Sequence, residues 1–182
     1  MRIIAGTYRG RILSSPRDLS VRPTTDRAKQ TIFDILSNRV EFDGLHVLDL
    51  FCGTGSLGLE AISRGAATVT FVDSSRDSLE ILRRNIGTLD CESQCTVYQA
   101  DVFWYLKNTR SRFDLAFVDP PYKLPTIGSL PRAVHESGVL NQGGFVVMEH
   151  SRESAVDVDE SVYSVTRKPF GQTIVLILAG RM

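Results

Sequence analysis

The sequence predicts an α/β protein built on a doubly wound, mainly parallel sheet of seven strands, preceded by a small hairpin-and-helix extension. Three observations predict it. Short β-branched runs alternate with stretches of helical apolar spacing from about residue 40 onward. A glycine-rich turn follows the first of those runs, and two strands joined by a short turn close the chain.

The extension comes first, expected over residues 1–40 rather than as an independent domain. Ile3-Ile4-Ala5-Gly6, a turn and Arg11-Ile12-Leu13 suggest a small hairpin. Thr24 or Thr25 can cap a helix whose apolar positions include Ala28, Ile32, Phe33, Ile35 and Leu36. The main domain, 41–182, opens with the buried strand His46-Val47-Leu48-Asp49-Leu50-Phe51 and a glycine turn. A helix over Ser56–Arg64 places Leu57, Leu59, Ala61 and Ile62 on apolar positions. Thr68–Asp73 is a second strand, and Asp77–Ile86 a helix carrying Leu79, Leu82 and Ile86. Cys95–Tyr98, Leu115–Val118 and Phe145–Glu149 read as three more strands. Val162–Thr166, a turn at Pro169-Phe170-Gly171 and Thr173–Leu178 read as the closing hairpin, which makes one strand antiparallel.

Composition bounds the function. The 182 residues are 42% hydrophobic and 23% charged, enough for one domain with a substantial core. No apolar run approaches the roughly 20 residues that span a bilayer, and the first residues lack a signal-peptide core, so a cytoplasmic protein without membrane contact is expected. Cys52, Cys91 and Cys95 are read as reduced structural thiols, and the scattered His46, His135 and His150 argue against a metal site. Formal net charge is zero, but the front is basic: Arg2, Arg9, Arg11, Arg17, Arg22, Arg27 and Lys29 face only Asp18 and Asp26. A local basic front can attract phosphate while the protein as a whole stays neutral.

Chemistry gathers where strands end. Asp49-Leu50-Phe51-Cys52-Gly53-Thr54-Gly55 lies at a strand-to-helix junction, where glycines let the backbone turn sharply and approach a ligand. Ligands of open α/β sheets bind at that carboxyl edge. Asp73 ends the next strand about 20 residues on, the spacing of a ribose-binding carboxylate. Asp49 would crowd a pyrophosphate, whereas a cationic sulfonium with its amino-acid moiety suits it. Asp101, in Ala100-Asp101-Val102, closes a further strand and can either accept from an adenine amine or cap a helix.

Asp119-Pro120-Pro121-Tyr122 ends the strand after that. Proline lacks an amide donor and fixes its own φ, so such a turn holds one carboxylate and one main-chain carbonyl at a set separation. Two acceptors match the two N–H bonds of an exocyclic base amine. That amine is a poor nucleophile, and a carboxylate of ordinary pKa about 3.9 is too weak to deprotonate it beforehand. Acceptance by Asp119 and the Pro120 carbonyl instead favours a pyramidal nitrogen and stabilises charge developing during alkyl transfer. Tyr122 would stack on the base.

With these pieces placed, the chain resembles the bacterial small-subunit ribosomal RNA guanine-N2 methyltransferases over nearly its whole length. The resemblance rests on Arg2–Gly6 with Arg9-Gly10-Arg11, on Arg22-Pro23-Thr24-Thr25-Asp26-Arg27, and on Asp49–Gly58. It continues through Glu60-Ala61, Ser63–Ala66, Asp119–Tyr122 and Phe170–Thr173. It implies the seven-stranded Rossmann-like class I methyltransferase fold and transfer from S-adenosylmethionine, without a metal, to N2 of guanine 966 in 16S rRNA. The product would be S-adenosylhomocysteine. It implies cofactor contacts at Arg22, Thr24, Thr25, Arg27, Asp49, Phe51, Gly53, Gly55, Asp73, Asp101 and Val102. Catalytic roles fall to Asp119, Pro120 and Tyr122, and RNA contacts to Arg2, Arg9, Arg11 and Tyr122. The partner implied is 16S rRNA or the small-subunit particle, met by a monomer. Three other readings stay open on the residues alone: an adenine-N6 or cytosine-N4 methyltransferase of DNA or other RNA, a non-catalytic RNA-binding module, and a nicotinamide-dependent oxidoreductase.

Overall fold

The computed structural model describes residues 1–16 and 26–181. Twelve regular elements of strand and α-helix follow one another there. They are α1 (Asp26–Ser37), β1 (His46–Leu50), α2 (Ser56–Ser63), β2 (Thr68–Asp73), α3 (Arg76–Leu89), β3 (Cys95–Gln99), α4 (Val102–Asn108), β4 (Phe113–Val118), α5 (Leu130–Ser137), β5 (Leu140–Ser151), β6 (Tyr163–Phe170) and β7 (Thr173–Gly180). The seven strands form one sheet in the order β3-β2-β1-β4-β5-β7-β6. Strands β1 to β5 pair in parallel, and β7 runs antiparallel to both β5 and β6. The strand order reverses between β1 and β4, so the loops after these two strands share one crevice.

Helices cover both faces. Val47, Val69, Phe71, Leu115, Phe117, Val147 and Val175 point into a core filled by α1, α2, α3 and the N-terminal Ile3 and Leu13. Leu48, Leu50, Val72, Ala116, Val118, Val146 and Met148 point into the opposite core, filled by Tyr105 and Leu106 of α4 and Leu130 and Val134 of α5. Successive strand residues thus serve opposite cores, which is why these strands read as continuous apolar runs.

Helix α2 is buried at all eight positions. One side rests on β1 and β2, and Gly58 makes this possible: a Cβ there would stand 2.3 Å from Cε1 of Phe71. The other side is covered by residues 3–8 of the extension. Gly6, at φ +80°, lies so close to α2 that a Cβ would fall 1.7 Å from the Ser63 carbonyl oxygen. The extension and the sheet therefore share one core rather than packing as separate bodies.

Several elements differ from expectation. The N-terminal hairpin is present but short: Arg2 bridges Ile12 in antiparallel fashion, Ile3 N–H donates to the Arg11 carbonyl and Leu13 N–H to the Met1 carbonyl, and the next two amides, of Ile4 and Ala5, turn instead to Glu60 of α2. The expected turn at Pro169-Phe170-Gly171 moves on by one residue. Strand β6 continues through Pro169 and Phe170, and Gly171 at φ +56° makes the turn. Proline is tolerated there because β6 is an edge strand. Strand β5 starts five residues earlier than Phe145, and its pairing with β4 shifts register between Phe113 and Leu115. Helices α4 and α5, of seven and eight residues, were not among the expected elements. The caps expected at Thr24 and Thr25 lie outside the described residues.

Candidate active site at the carboxyl edge

The loop after β1 is built from left-handed backbone. Phe51 (φ 56°), Gly53 (φ 53°) and Gly55 (φ 84°) all adopt it. For the glycines this costs little, whereas Phe51 is a non-glycine residue held in a sparsely populated region, as functional loops often are. Gly55 is the N-cap of α2, and a Cβ on it would meet Leu82 of α3 at 2.3 Å. The loop is braced from outside by Asn85, buried on α3. Its amide donates to the carbonyls of Ser14 and Thr54 at 3.1 Å each, and its Oδ1 accepts from Ser14 N–H at 2.8 Å. Asn85 thereby ties the N-terminal segment to the glycine loop, a role that sequence pattern offers no means of spotting.

Asp49 is buried beneath this loop, and its Oδ2 accepts from Gly58 N–H at 2.9 Å. Burial pushes its carboxyl up to about 8. The Gly58 bond opposes the rise, and the charges of Asp119 and Asp73 add to it. Those two charges come from the neighbouring strand ends. Asp73 accepts Gly53 N–H at 2.8 Å on one oxygen and Ser75 N–H at 2.8 Å on the other. Each carboxylate oxygen has two lone pairs, so Asp73 keeps capacity for two hydroxyl donors. Asp101 caps α4, its Oδ1 accepting from Trp104 N–H at 2.9 Å, and of the two readings open for it the structure displays the cap. Val102 is buried against the second core.

Asp119 follows β4 directly, and its N–H continues the ladder to the Leu50 carbonyl of β1 at 3.4 Å. This contact sets the Asp119–Tyr122 turn beside the glycine loop. Pro120 is buried, and the turn is closed by Leu124 N–H donating to the Pro121 carbonyl at 2.9 Å. The Tyr122 hydroxyl donates to Oε1 of Glu149 at 2.8 Å. Glu149, on β5, was not among the residues expected at the site. Only strand register brings it there, since Val118 pairs with Met148 and the next residues on each strand are Asp119 and Glu149.

The described residues of the basic front fall at several places. Tyr8 N–H donates to Ser63 Oγ at the far end of α2, roughly 10 Å along the helix from Ser56. The exposed Arg9 and Arg11 follow Tyr8 at that end. Arg2 pairs with Asp26 at 3.0 Å. The Arg27 guanidinium lies 5.9 Å from the Phe170 ring centroid, at the tip of the β6–β7 hairpin. Arg22, Thr24 and Thr25 lie outside the described residues.

A seven-stranded sheet with β7 reversed, a glycine loop after β1 and acidic residues ending β1 and β2 define a class I, S-adenosylmethionine-dependent methyltransferase. The chain belongs to the family described as conserved hypothetical protein 95, whose model matches residues 1–179. Two relatives carry the name ribosomal RNA small subunit methyltransferase D. The one from Haemophilus influenzae is 32% identical, covering 94% of this chain and 89% of its own. The one from Escherichia coli K12 is 30% identical, covering 92% and 83%. Among solved structures, yhhF from Escherichia coli superposes with a TM-score of 0.88 at 29% identity, covering 100% of this chain and 98% of that one.

The residues present fit the cofactor of this class. A buried acid in the field of two further carboxylates favours a cationic ligand, and the left-handed glycine loop leaves room for close approach. Among the described residues no group of three or more His, Cys, Asp or Glu is placed to hold a metal ion.

Proposed function

We propose that this protein methylates the exocyclic N2 amine of a guanine, nucleotide 966, in 16S rRNA of the small ribosomal subunit. The observation that carries the chemistry is the Asp119–Tyr122 turn, held against the β1 loop by the Asp119 N–H bond to Leu50. The choice of small-subunit rRNA draws on the whole-length similarity to relatives named for that substrate.

S-adenosylmethionine, when bound, supplies an electrophilic methyl group on a sulfonium sulfur. Asp73 accepts the ribose hydroxyls, while the Gly53–Gly55 backbone and Asp49 face the amino-acid and sulfonium end. Asp101 can still accept from the adenine amine through its second oxygen. By the family resemblance, Arg22, Thr24, Thr25 and Arg27 contact the methionine end of the cofactor. Asp119 and the Pro120 carbonyl accept the two N–H bonds of the target amine, turning its lone pair toward the methyl group. As the N–C bond forms and the S–C bond breaks, positive charge grows on nitrogen, and the two acceptors stabilise it. The extra proton then passes from the alkylated nitrogen to solvent, directly or by way of the Asp119 carboxylate. Alignment of the reacting atoms contributes several kcal/mol, up to roughly 7–11 in ideal cases. Residues 1–40 act as an extension that meets rRNA phosphate through Arg2, Arg9 and Arg11.

The test is methyl transfer from labelled cofactor to small subunits lacking the modification, run against duplex DNA, with primer extension mapping the modified nucleotide in a deletion strain. Labelling of the subunits at one guanine is expected. Preferential labelling of DNA, or of an adenine or cytosine, overturns the proposal.

A further inference from the structure

Four acidic side chains reach the carboxyl edge of the sheet on one face, and the chemistry above uses three. Val47, Phe71, Phe117 and Val147 point into the same core. Two residues on from each stand Asp49, Asp73, Asp119 and Glu149, which the strand period places on that same face. Glu149 is only 8% exposed. Its Oε1 receives the Tyr122 hydroxyl, while Oε2 is buried with no hydrogen-bond partner among the described residues. Buried acceptors in folded proteins are almost always satisfied, so an unmet one beside a reacting centre calls for a ligand donor.

We propose that Glu149 is the residue that selects guanine, its Oε2 accepting the N1–H bond of the target base. The inference rests on the guanine-N2 reading and supplies the selectivity that the Asp119–Tyr122 turn lacks. Any exocyclic amine can offer two N–H bonds to Asp119 and Pro120. The ring atom next to that amine differs: guanine N1 carries a hydrogen, whereas adenine N1 and cytosine N3 carry lone pairs. A buried carboxylate beside the amine pocket attracts the first and repels the other two. Tyr122 is 37% exposed and bonded to the same carboxylate. In this proposal the ring moves onto the base and the base reaches Oε2 of the same carboxylate. A site built around a hydrogen bond rejects an analogue lacking that bond strongly, because the site's own polar group is left unpaired.

The test uses 2-aminopurine, which keeps the 2-amino group but has a lone pair at N1. Small subunits are reconstituted with rRNA carrying either guanine or 2-aminopurine at the target position, and kcat/KM is measured for each. Wild-type protein is expected to favour guanine by about 100-fold or more. Glu149→Gln, whose amide can donate to N1, is expected to cut that preference at least about tenfold. Tyr122→Phe removes the hydroxyl and should lower both rates with their ratio unchanged. An unchanged ratio in Glu149→Gln, with cofactor affinity and melting temperature retained, reduces Glu149 to a brace for Tyr122 and overturns the proposal. Wild-type transfer to 2-aminopurine within about threefold of guanine overturns it without any variant. Failure of the parent reading is a separate outcome: wild-type protein would place methyl groups on adenine or cytosine, identified by nucleoside mass spectrometry.

Discussion

Asp119 and Asp49 are one residue type in two environments at neighbouring strand ends. Asp119 sits at a turn where it can meet an incoming amine, so Asp119→Ala should abolish transfer nearly completely while S-adenosylhomocysteine still binds. Single-turnover rates beside calorimetric affinities will check this, and a variant that keeps a tenth of its rate contradicts it. Asp49 is buried with its carboxyl raised to about 8, from an ordinary value near 4. Its neutral form is therefore favoured in the folded protein. The stability this contributes is present in full below the ordinary value and is lost as pH rises through about 8. A cationic ligand favours the ionised form, so cofactor affinity should rise with pH, by up to about tenfold per unit between pH 6 and 8, with proton release on binding. Asp49→Asn should flatten both the affinity profile and the stability profile. Calorimetry in two buffers of different ionisation enthalpy measures the proton, and a flat wild-type profile sinks the prediction.

At the scale of elements, the contact between the extension and α2 is the feature to perturb. Glu60 is buried on α2 and accepts from Ile4 N–H at 2.8 Å and Ala5 N–H at 3.0 Å. It also pairs with Lys29 of α1 at 3.3 Å and Arg64 at 2.9 Å. Lys29 is fully buried and donates to the Arg2 carbonyl at 2.6 Å. Burial pulls its pKa down, and Glu60 opposes that pull. Glu60→Ala strands a buried ammonium and two amides, so a loss of about 3–5 kcal/mol is expected from denaturant unfolding. Adding Lys29→Met should restore part of that loss, and strict additivity of the two would show that the pair is not coupled. The glycines offer a second contrast. Gly6→Ala meets the Ser63 carbonyl, whereas Gly10→Ala meets nothing within 4 Å and bears only the cost of its φ of +84°. Gly10→Ala should therefore cost about 1–2 kcal/mol and Gly6→Ala clearly more, compared by midpoint of denaturation.

For the whole molecule, net charge is zero, and Arg9 and Arg11 lie by the Ser63 end of α2, the end away from the glycine loop. Arg9→Ala and Arg11→Ala should therefore weaken RNA binding uniformly and reduce its salt dependence by about one unit of log–log slope each, without altering kcat on bound substrate. Slopes matching wild type would return both arginines to an ordinary solvated surface.

Much of the molecule was legible in the chain. Strands buried on both faces must be apolar runs, so β1, β2 and β4 announced themselves, and the residues ending them were found with them: Asp49, Asp73 and the Asp119–Tyr122 turn. Local chemistry also marked the Gly53–Gly55 turn, since few other residues adopt its backbone. What only the tertiary structure decided is whatever depends on distant segments meeting. Glu149 reads as one acidic residue ending an apolar run until β4–β5 register sets it beside Asp119 and Tyr122. Asn85 and Glu60 look like surface positions of amphipathic helices until the extension covers them. The raised carboxyl of Asp49 is a sum of burial and two charges brought from other strands. A chain encodes its periods and turns in neighbouring residues, but burial and electrostatic fields are set by residues far apart in sequence, and only the folded sheet assembles those.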